Sequence, residues 1–531
     1  MIGAERFGVK IIASVGIALL LCCVTLTKGR ATGQVGQQQR PGESILPVCP
    51  TINLEGFDKI DFSKITALEP NGILGLPCDA EAENGNADAR SLQHGFDYYS
   101  WLTFLALNSP ASGKAIGADA PTIWETYKQL PDVMRPMGTA PDDWVVSRAN
   151  PLIGANKQVP LAGCPNPEGK MIIHMDMEET YNEPFKSGPL FDQNGNYAVF
   201  VIFMNQTMFK YIRQNTLYNF EGQEAFKDEV DFPDGSDGKA KGHPETTVGA
   251  IMIKASWKLM GPSDLAKPKY HMIDGLLYRG PKSCTPVKLG LIGFHVGHKT
   301  VTRQQWIWTT FEYHLNVPRQ RDVDNKSFEK NPYNFFNPAC SKSDCPINET
   351  PAGSWDPDTL GWTPFPKSPK FKSQIVRTGV DTSFNDSSPT KLEDDIKTLN
   401  DLFHKSPQIA GTVWANYDLI TTQWPSGFPC AGKKSPGTLP DPTCTPFPAF
   451  LANSTLETFS QPQHVGPVPL ANVSQPLHEG GVPLATSSCI SCHNNATTKP
   501  THSNPKTQAM RSDFTYILEK AHSTQEKNKH D

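Results

Sequence analysis

Three residues near the end of the chain have the types and spacing of a covalent cofactor site. Cys489, Cys492 and His493 occur as C-x-x-C-H in the stretch SSCISCHNNAT, residues 487–497. Two thiols at this spacing can add to the vinyl groups of a haem, and the histidine after the second cysteine can bind the iron. The sequence therefore predicts one covalent haem c, attached through Cys489, Cys492 and His493, with His493 as the metal ligand.

Other chemistries also use paired cysteines. A structural zinc site requires four ligands, but the sequence contains no second C-x-x-C and no H-x₃₋₅-H after the motif. A thioredoxin-type dithiol requires a strand–helix context, whereas GGVPLATSSCISCHNNATTKP is rich in turn-forming residues. Haem attachment is the interpretation that the motif favours.

The motif leaves the sixth iron ligand open. Met510 follows the motif closely enough to fold back, and a methionine ligand would favour electron transfer, although a packing role explains this residue as well. His295 and His298, in GFHVGHKT, lie three residues apart and would face opposite sides of a strand. Either histidine is a candidate ligand supplied from far upstream of the motif, or an ordinary buried histidine. An open sixth position is a further alternative.

Glu312 and His314, in TTFEYHL, form a second polar pair. Residues two apart on a strand share one face, as an acid/base pair would. Structural or surface polar residues would give the same pattern, so the pair carries no assigned catalytic role.

The N-terminus resembles an export signal. MIGAERFGVK carries Arg6 and Lys10 and precedes the uncharged apolar run IIASVGIALLLCCVTLT. This pattern predicts a signal peptide over residues 1–31, and the small residues Gly29 and Ala31 suit the cleavage site. A retained anchor is the alternative, since the run reaches the low end of a membrane span. We expect a periplasmic or otherwise exported bacterial protein with no membrane span in its mature form.

Composition restricts the partners and the redox state. A net charge of −5 gives no argument for nucleic acid as a partner. Outside the signal and the motif, the cysteines are even in number, which in an exported chain indicates disulfides. Spacing favours the pairs Cys340–Cys345 and Cys430–Cys444, followed by Cys49–Cys78.

Hydrophobic patterns place the main elements between residues 94 and 450. An apolar helix is predicted at 94–108, and an amphipathic helix begins at Pro389 with Ser388 as its cap. β-Branched and aromatic runs predict strands at 197–207, 248–260, 288–300 and 304–315, the last two as a hairpin. A final helix, DFTYILEKAH, is predicted with Ser512 as its cap.

The predicted fold class is α+β. A large β-rich N-terminal domain with a few helices is expected to associate closely with a short, mainly helical or irregular C-terminal haem segment. The predicted divisions are a signal peptide over 1–31, a loop-rich segment over 32–93, the large domain over 94–450 and the haem segment over 451–531. Because so short a tail cannot bury a porphyrin by itself, we expect the haem to pack against the large domain.

Stretches along the chain also resemble a bacterial family of exported cytochrome c family proteins. The matching stretches include YYSWLTFLALNSP, GLIGFHVGHKT, QQWIWTTFEYHLNVP, ANYDLITTQWP and SSCISCHNNAT, in order over about residues 94–522. The resemblance implies a monohaem c-type protein with a large accessory domain. Only Cys489, Cys492 and His493 carry over as haem residues, and no substrate is implied.

These observations favour an electron-transfer protein that works with a redox partner protein. The reason is that the sequence predicts one covalent haem and contains no recognisable set of catalytic residues. An oxidoreductase is the alternative, with a substrate in the large domain and a haem that relays electrons, because the domain exceeds what a carrier requires. A haem-based gas or redox sensor with an open iron position is a further alternative.

Overall fold

A large, mainly antiparallel sheet is the centre of the computed structural model. The described strands of this sheet are β3 (Lys128–Gln129), β4 (Met171–His174), β5 (Val199–Met204), β6 (Ile251–Leu259), β7 (Met272–Gly280), β8 (Ser283–His298), β9 (Ile307–Tyr313), β12 (Tyr417–Pro425) and β13 (Pro446–Phe447). Seven of them follow the order β13-β12-β9-β8-β6-β5-β3, while β7 pairs with β8 and has β4 as a parallel neighbour. Two small sheets pair β1 (Thr51–Asn53) with β2 (Asp79–Glu81), and β10 (Ser354–Asp356) with β11 (Gly361–Thr363).

The described helices occur before, between and after these strands in the sequence. They are α1 (Ala89–Leu107), α2 (Leu130–Val133), α3 (Gln206–Gln214), α4 (Phe220–Ala225), α5 (Asp237–Ala240), α6 (Pro262–Ala266), α7 (Gln320–Asp324), α8 (Pro389–Lys405) and α9 (Cys489–His493). Short 3-10 turns cover Trp124–Thr126, Pro136–Gly138, Val413–Asn416 and Tyr516–Lys520. The predicted mixed α+β class with a large antiparallel sheet is therefore confirmed at this level.

The structure describes the chain in sections. They are residues 49–54, 75–81, 89–144, 171–174, 189–240, 247–266, 269–280, 283–327, 332–341, 343–350, 354–356, 361–363, 373–378, 389–425, 446–448, 451, 453–456, 458–459, 488–494, 496–498 and 509–525. All of them belong to one compact unit, residues 46–531. The predicted signal peptide, the Ser388 cap and the Cys430–Cys444 pair lie outside the described residues.

The predicted hairpin at 288–315 is confirmed and forms the middle of the sheet. β8 and β9 pair antiparallel, with His295 opposite Thr310 and Gly297 opposite Trp308. Side chains alternate between the two faces of each strand. We call the side that carries Phe311 the helix face, and the side that carries Trp308 the tail face.

Two long helices close the helix face. The ring of Phe104 on α1 stacks on Phe311 at 4.0 Å between centroids, and Trp101 stacks on Phe403 of α8 at 4.6 Å. Leu399 and Phe403, which lie four residues apart in this amphipathic helix, are both buried. The amphipathic pattern of this helix therefore identified the side that packs on the sheet.

The predicted C-terminal helix is wrong in detail. Asp513 and Phe514 have φ angles of 50° and 63°, in the left-handed region that a right-handed helix excludes. A 3-10 turn, Tyr516–Lys520, begins after them and is capped by the Thr515 side chain, which accepts from Ile517 N. Ser512 therefore does not cap it, although the apolar residues Ile517 and Leu518 are buried as the pattern indicated.

Two of the predicted cysteine pairs lie at disulfide distance. The Cα atoms of Cys49 and Cys78 are 5.3 Å apart, and those of Cys340 and Cys345 are 6.0 Å apart. Among the described residues, no helix has the length and apolar character needed to cross a membrane.

Candidate haem-attachment site

The C-x-x-C-H motif forms a single helical turn, α9. Cys492 N donates to Ser488 O at 2.9 Å, and Asn494 N donates to Ile490 O at 2.9 Å. This turn leaves Cys489 and Cys492 half-buried and spaced three residues apart, and both carry thiols rather than a disulfide. Ile490 is fully buried and anchors the turn.

A side chain of the sheet fixes the start of this turn. Gln423, fully buried on β12, accepts from Ile490 N at 2.9 Å and from Ser488 Oγ at 3.3 Å. Its Nε2 donates to Pro448 O at 2.8 Å, so the amide group cannot rotate freely. The first N–H groups of a helix have no partner within the helix, and Gln423 supplies one from a strand far away in the sequence.

His493 is held by a backbone carbonyl from the last described segment. Its Nδ1 lies 2.9 Å from Phe514 O. A carbonyl oxygen can only accept, so Nδ1 carries the proton and the neutral ring keeps the Nε2 lone pair for a metal. A hydrogen bond of this kind fixes the ring and makes a histidine ligand more basic.

Aromatic rings restrict the imidazole further. The Trp308 ring lies 4.2 Å from it between centroids, and the Tyr516 ring lies 5.3 Å away, edge-on. Tyr516 also donates its hydroxyl to Cys492 O at 2.8 Å. The histidine and the second cysteine are therefore positioned by the same tyrosine.

The surroundings keep His493 neutral. Burial lowers its pKa to about 4, against the opposing effect of the Phe514 hydrogen bond, and the charge of Lys254 lowers it further. Metal ligation requires the unprotonated imidazole, which is the state present at neutral pH.

An apolar cluster joins the motif to the sheet, and we call it the tail cluster. It combines side chains of the C-terminal segment with side chains of the tail face and of α2 and α3. Its buried members are Leu130, Val133, Met134, Met204, Met208, Phe209, Ile212, Leu217, Val230, Phe232, Ala250, Met252, Trp306, Trp308, Ile490, Phe514, Ile517, Leu518 and Ala521.

The two candidate histidines of β8 do face opposite sides. His295 lies on the tail face, 5.8 Å from Trp308 between ring centroids, and its Nδ1 is 2.7 Å from Thr310 Oγ1. His298 lies on the helix face, with its Nδ1 2.5 Å from the hydroxyl of Tyr99. Burial lowers the pKa of both to about 3, and at His295 the charges of His493 and Lys254 add to the effect. Only His295 shares the face on which the motif lies.

Met510 lies beside the motif through its backbone. Thr498 N donates to Met510 O at 2.8 Å, and Met510 N donates to Thr498 Oγ1 at 3.1 Å. The residue is half-buried, and its role as the sixth ligand stays a prediction.

Glu312 is held in a buried ion pair, whereas His314 lines a cavity, and Arg377 contributes to both. Glu312 is fully buried and accepts from Ser454 N at 2.7 Å, from Ser454 Oγ, and from Arg377 at 3.3 Å. His314 instead lines a cavity of about 390 Å³ beneath α8, together with Arg377, His404 and polar groups of α8. Glu312 is thus a structural ion-pair partner, and the acid/base interpretation gains no support.

The donor set of the motif fits a haem. Two thiols one turn apart precede a neutral histidine whose Nδ1 proton is already directed to a carbonyl. The part of the chain that the structure describes holds no group of three or more His, Cys, Asp or Glu that could bind a metal ion. Haem attachment does not require such a group, because the porphyrin supplies four of the iron ligands.

Sequence reasoning missed the residues that position the motif. Gln423 and Phe514 meet it across long sequence separations, and neither belongs to a recognisable motif. The one available signal was the amide side chain of Gln423 between the bulky residues of a strand, because a buried amide needs partners.

The chain has no match among known family models, curated proteins or solved structures. The resemblance to exported cytochrome c proteins therefore stays a prediction.

Proposed function

We propose that this chain is an exported monohaem c-type protein that transfers electrons to or from a redox partner protein. The observation that carries the proposal is the hydrogen bond between Phe514 O and Nδ1 of His493, the histidine of the C-x-x-C-H turn. When bound, haem supplies one-electron iron chemistry whose potential depends on the axial ligands and their hydrogen bonds.

The chain's own residues have separable parts in this proposal. Cys489 and Cys492 hold the cofactor, while His493 binds the iron through Nε2. Phe514 O retains the Nδ1 proton, which keeps the ring in one orientation. Trp308 and Tyr516 limit the rotation of the ring.

The proposal includes a close association between the haem segment, 451–531, and the β-rich domain, 94–450. The tail cluster supports it, since Trp308 and Met252 from the sheet share one apolar group with Ile490 and Leu518 from the tail. Gln423 adds a directional bond between the same two parts. A haem attached at α9 would therefore lie against the sheet, not on a separate module.

The test is production with c-haem maturation enzymes in a periplasm. We expect a mass increase of one haem and a haemochrome typical of two thioether bonds. The double variant Cys489→Ser with Cys492→Ser should lose both, and the wild type should show a reversible one-electron wave. Haem-free wild type from a competent strain would contradict the proposal, and CO binding with peroxide turnover would exclude simple electron transfer.

One observation favours a second candidate function, an oxidoreductase. The cavity beneath α8 is large enough for a small molecule and is lined by His314, Arg377, His404 and Asp418. In this alternative, a substrate in the cavity would pass electrons to the haem. Substrate-dependent haem reduction that Asp418→Asn abolishes would support it, and no reduction by a broad set of small reductants would count against it.

A further inference from the structure

A charged group is buried where the tail meets the end of β8. Lys299, only 1 % exposed, follows directly after this strand. Its Nζ donates to Asp513 Oδ2 at 2.6 Å and to Asp231 Oδ1 at 2.5 Å. Asp513 Oδ2 also accepts from Phe232 N at 2.7 Å. A carboxylate of the tail is therefore fixed to two separate parts of the large domain.

The two carboxylates around Lys299 differ in burial. The Asp513 side chain is 8 % exposed, whereas the Asp231 side chain is 51 % exposed. Burial pulls the pKa of Lys299 down, but the two carboxylates outweigh it and raise the pKa above its ordinary value. The lysine is therefore a fixed cation, and breaking its bond to Asp513 would leave a buried charge less well compensated.

Asp513 precedes the residue that holds His493. Asp513 and Phe514 both have left-handed backbone conformations, which are uncommon for non-glycine residues and persist only where the surroundings enforce them. Phe514 then presents its carbonyl to His493 Nδ1, and its ring is buried in the tail cluster. The anchored carboxylate and the carbonyl are thus in adjacent residues.

Few other directional contacts fix this turn. Ser512 N donates to Ala496 O at 3.1 Å, and Ser512 Oγ donates to Thr515 O at 2.5 Å. Both contacts join the turn to the tail itself. The contacts of Asp513 with Lys299 and Phe232 join it to the large domain.

We propose that the ion pair between Lys299 and Asp513 is a positioning pair that holds the Phe514 carbonyl in place and thereby fixes the orientation and basicity of His493. This inference rests on the proposed function, because it assigns a role to residues that act on the iron ligand. Neither Lys299 nor Asp513 touches the reacting group. Their effect passes through the backbone of one turn.

The test compares two isosteric variants, each of which removes one carboxylate charge beside Lys299. Asp513→Asn removes the partner that anchors the turn, and asparagine tolerates the left-handed conformation. Asp231→Asn is the matched control, because Asp231 binds Lys299 but lies outside the turn. Both are made in the full-length holoprotein.

Two measurements report on the His493 ring. The first is the exchange rate of the His493 Nδ1 proton, observed by NMR, and the second is the reduction potential. We expect Asp513→Asn to speed exchange by about tenfold, the factor that corresponds to roughly one lost hydrogen bond. It should also raise the potential, since a weaker Nδ1 bond makes the ligand less basic. Asp231→Asn should change both quantities far less.

Equal exchange rates and equal potentials in the two variants would overturn the inference. If Asp513→Asn yields no folded protein, Asp513→Gly replaces it, because glycine adopts the left-handed conformation without strain. Slow, wild-type exchange in that variant would also overturn the inference.

Failure of the proposed function would look different. It would appear as wild-type protein without covalent haem. The positioning pair would still be testable in that protein by ¹⁵N NMR of the His493 tautomer. We expect Nδ1–H alone in the wild type and in Asp231→Asn, and a tautomer mixture in Asp513→Asn. A single Nδ1–H tautomer in all three proteins would overturn the inference.

Discussion

The two faces of the central sheet are closed in different ways. On the helix face, α1 and α8 place large rings against the strands, as in the stacked pair of Phe104 and Phe311. On the tail face, the sheet meets the C-terminal tail through apolar packing and directional bonds, including Gln423 to Ile490 and Lys299 to Asp513. Directional bonds occur on the helix face too, where Asn400 accepts from Leu419 N. The difference is in what these bonds hold, because on the helix face they join helices to strands and on the tail face they join the sheet to the turns beside His493.

The largest expected effect concerns the helix face. Phe104→Ala should cost about 3–5 kcal/mol of unfolding free energy, the usual range for a buried aromatic residue replaced by alanine. Chemical denaturation measures this loss. The haem absorption spectrum and potential of the surviving folded protein should stay unchanged. A shifted spectrum would show that the two faces are not independent.

A matched pair of polar substitutions sharpens the contrast. Gln423→Leu leaves Ile490 N without its acceptor and should cost about 1–3 kcal/mol. Asn400→Leu is the counterpart on the helix face, because Asn400 accepts from Trp101 Nε1 and Leu419 N. Denaturation should show similar losses for both variants, but only Gln423→Leu should lower the yield of covalently attached haem. Equal haem yields would contradict the role given to Gln423.

Acid should weaken the fold through histidines held neutral on both faces. The pKa of His298 is lowered to about 3 by burial. In mild acid this histidine therefore binds a proton in the unfolded chain but not in the folded chain. The contribution of the neutral histidine to the free energy of unfolding is fully present above the ordinary histidine pKa. It is lost as the pH falls from that value towards the lowered pKa of the folded state. Lowering the pH from 7 to 5.5 should therefore reduce the free energy of unfolding by about 1 kcal/mol for each such histidine.

Denaturation at the two pH values tests this expectation. His298→Gln on the helix face and His295→Gln on the tail face should each reduce the pH dependence by that amount. An unchanged pH dependence in either variant would show that the histidine concerned is not the source.

The smallest expected effect concerns charge on the tail face. Lys254 acts on the pKa of both His295 and His493, so its cation lies close enough to influence a haem at the motif. Lys254→Met should lower the reduction potential by tens of millivolts, because a lost positive charge favours the oxidised iron. Lys288→Met, at an exposed ion pair, is the control and should have little effect in voltammetry. Equal shifts would mean that net charge alone sets the potential.

Local patterns in the sequence determined much of this protein. The β-branched and aromatic runs predicted β8, β9 and their pairing, and apolar residues spaced three or four apart predicted the buried side of α8. The candidate cofactor residues were also readable, because Cys489, Cys492 and His493 lie within one turn and their spacing carries the chemistry. These features depend on neighbours in the chain.

Only the tertiary structure decided what surrounds the motif. Gln423 meets Ile490, Phe514 meets His493, and Lys299 meets Asp513 across separations that no local pattern encodes. The left-handed turn at Asp513 and Phe514 replaced the predicted helix, because contacts of Asp513 with Phe232 and Lys299 of the large domain outweigh the local helical preference. A buried amide such as that of Gln423 requires a hydrogen-bond partner, but which residue is the partner depends on the segments that the sheet brings together.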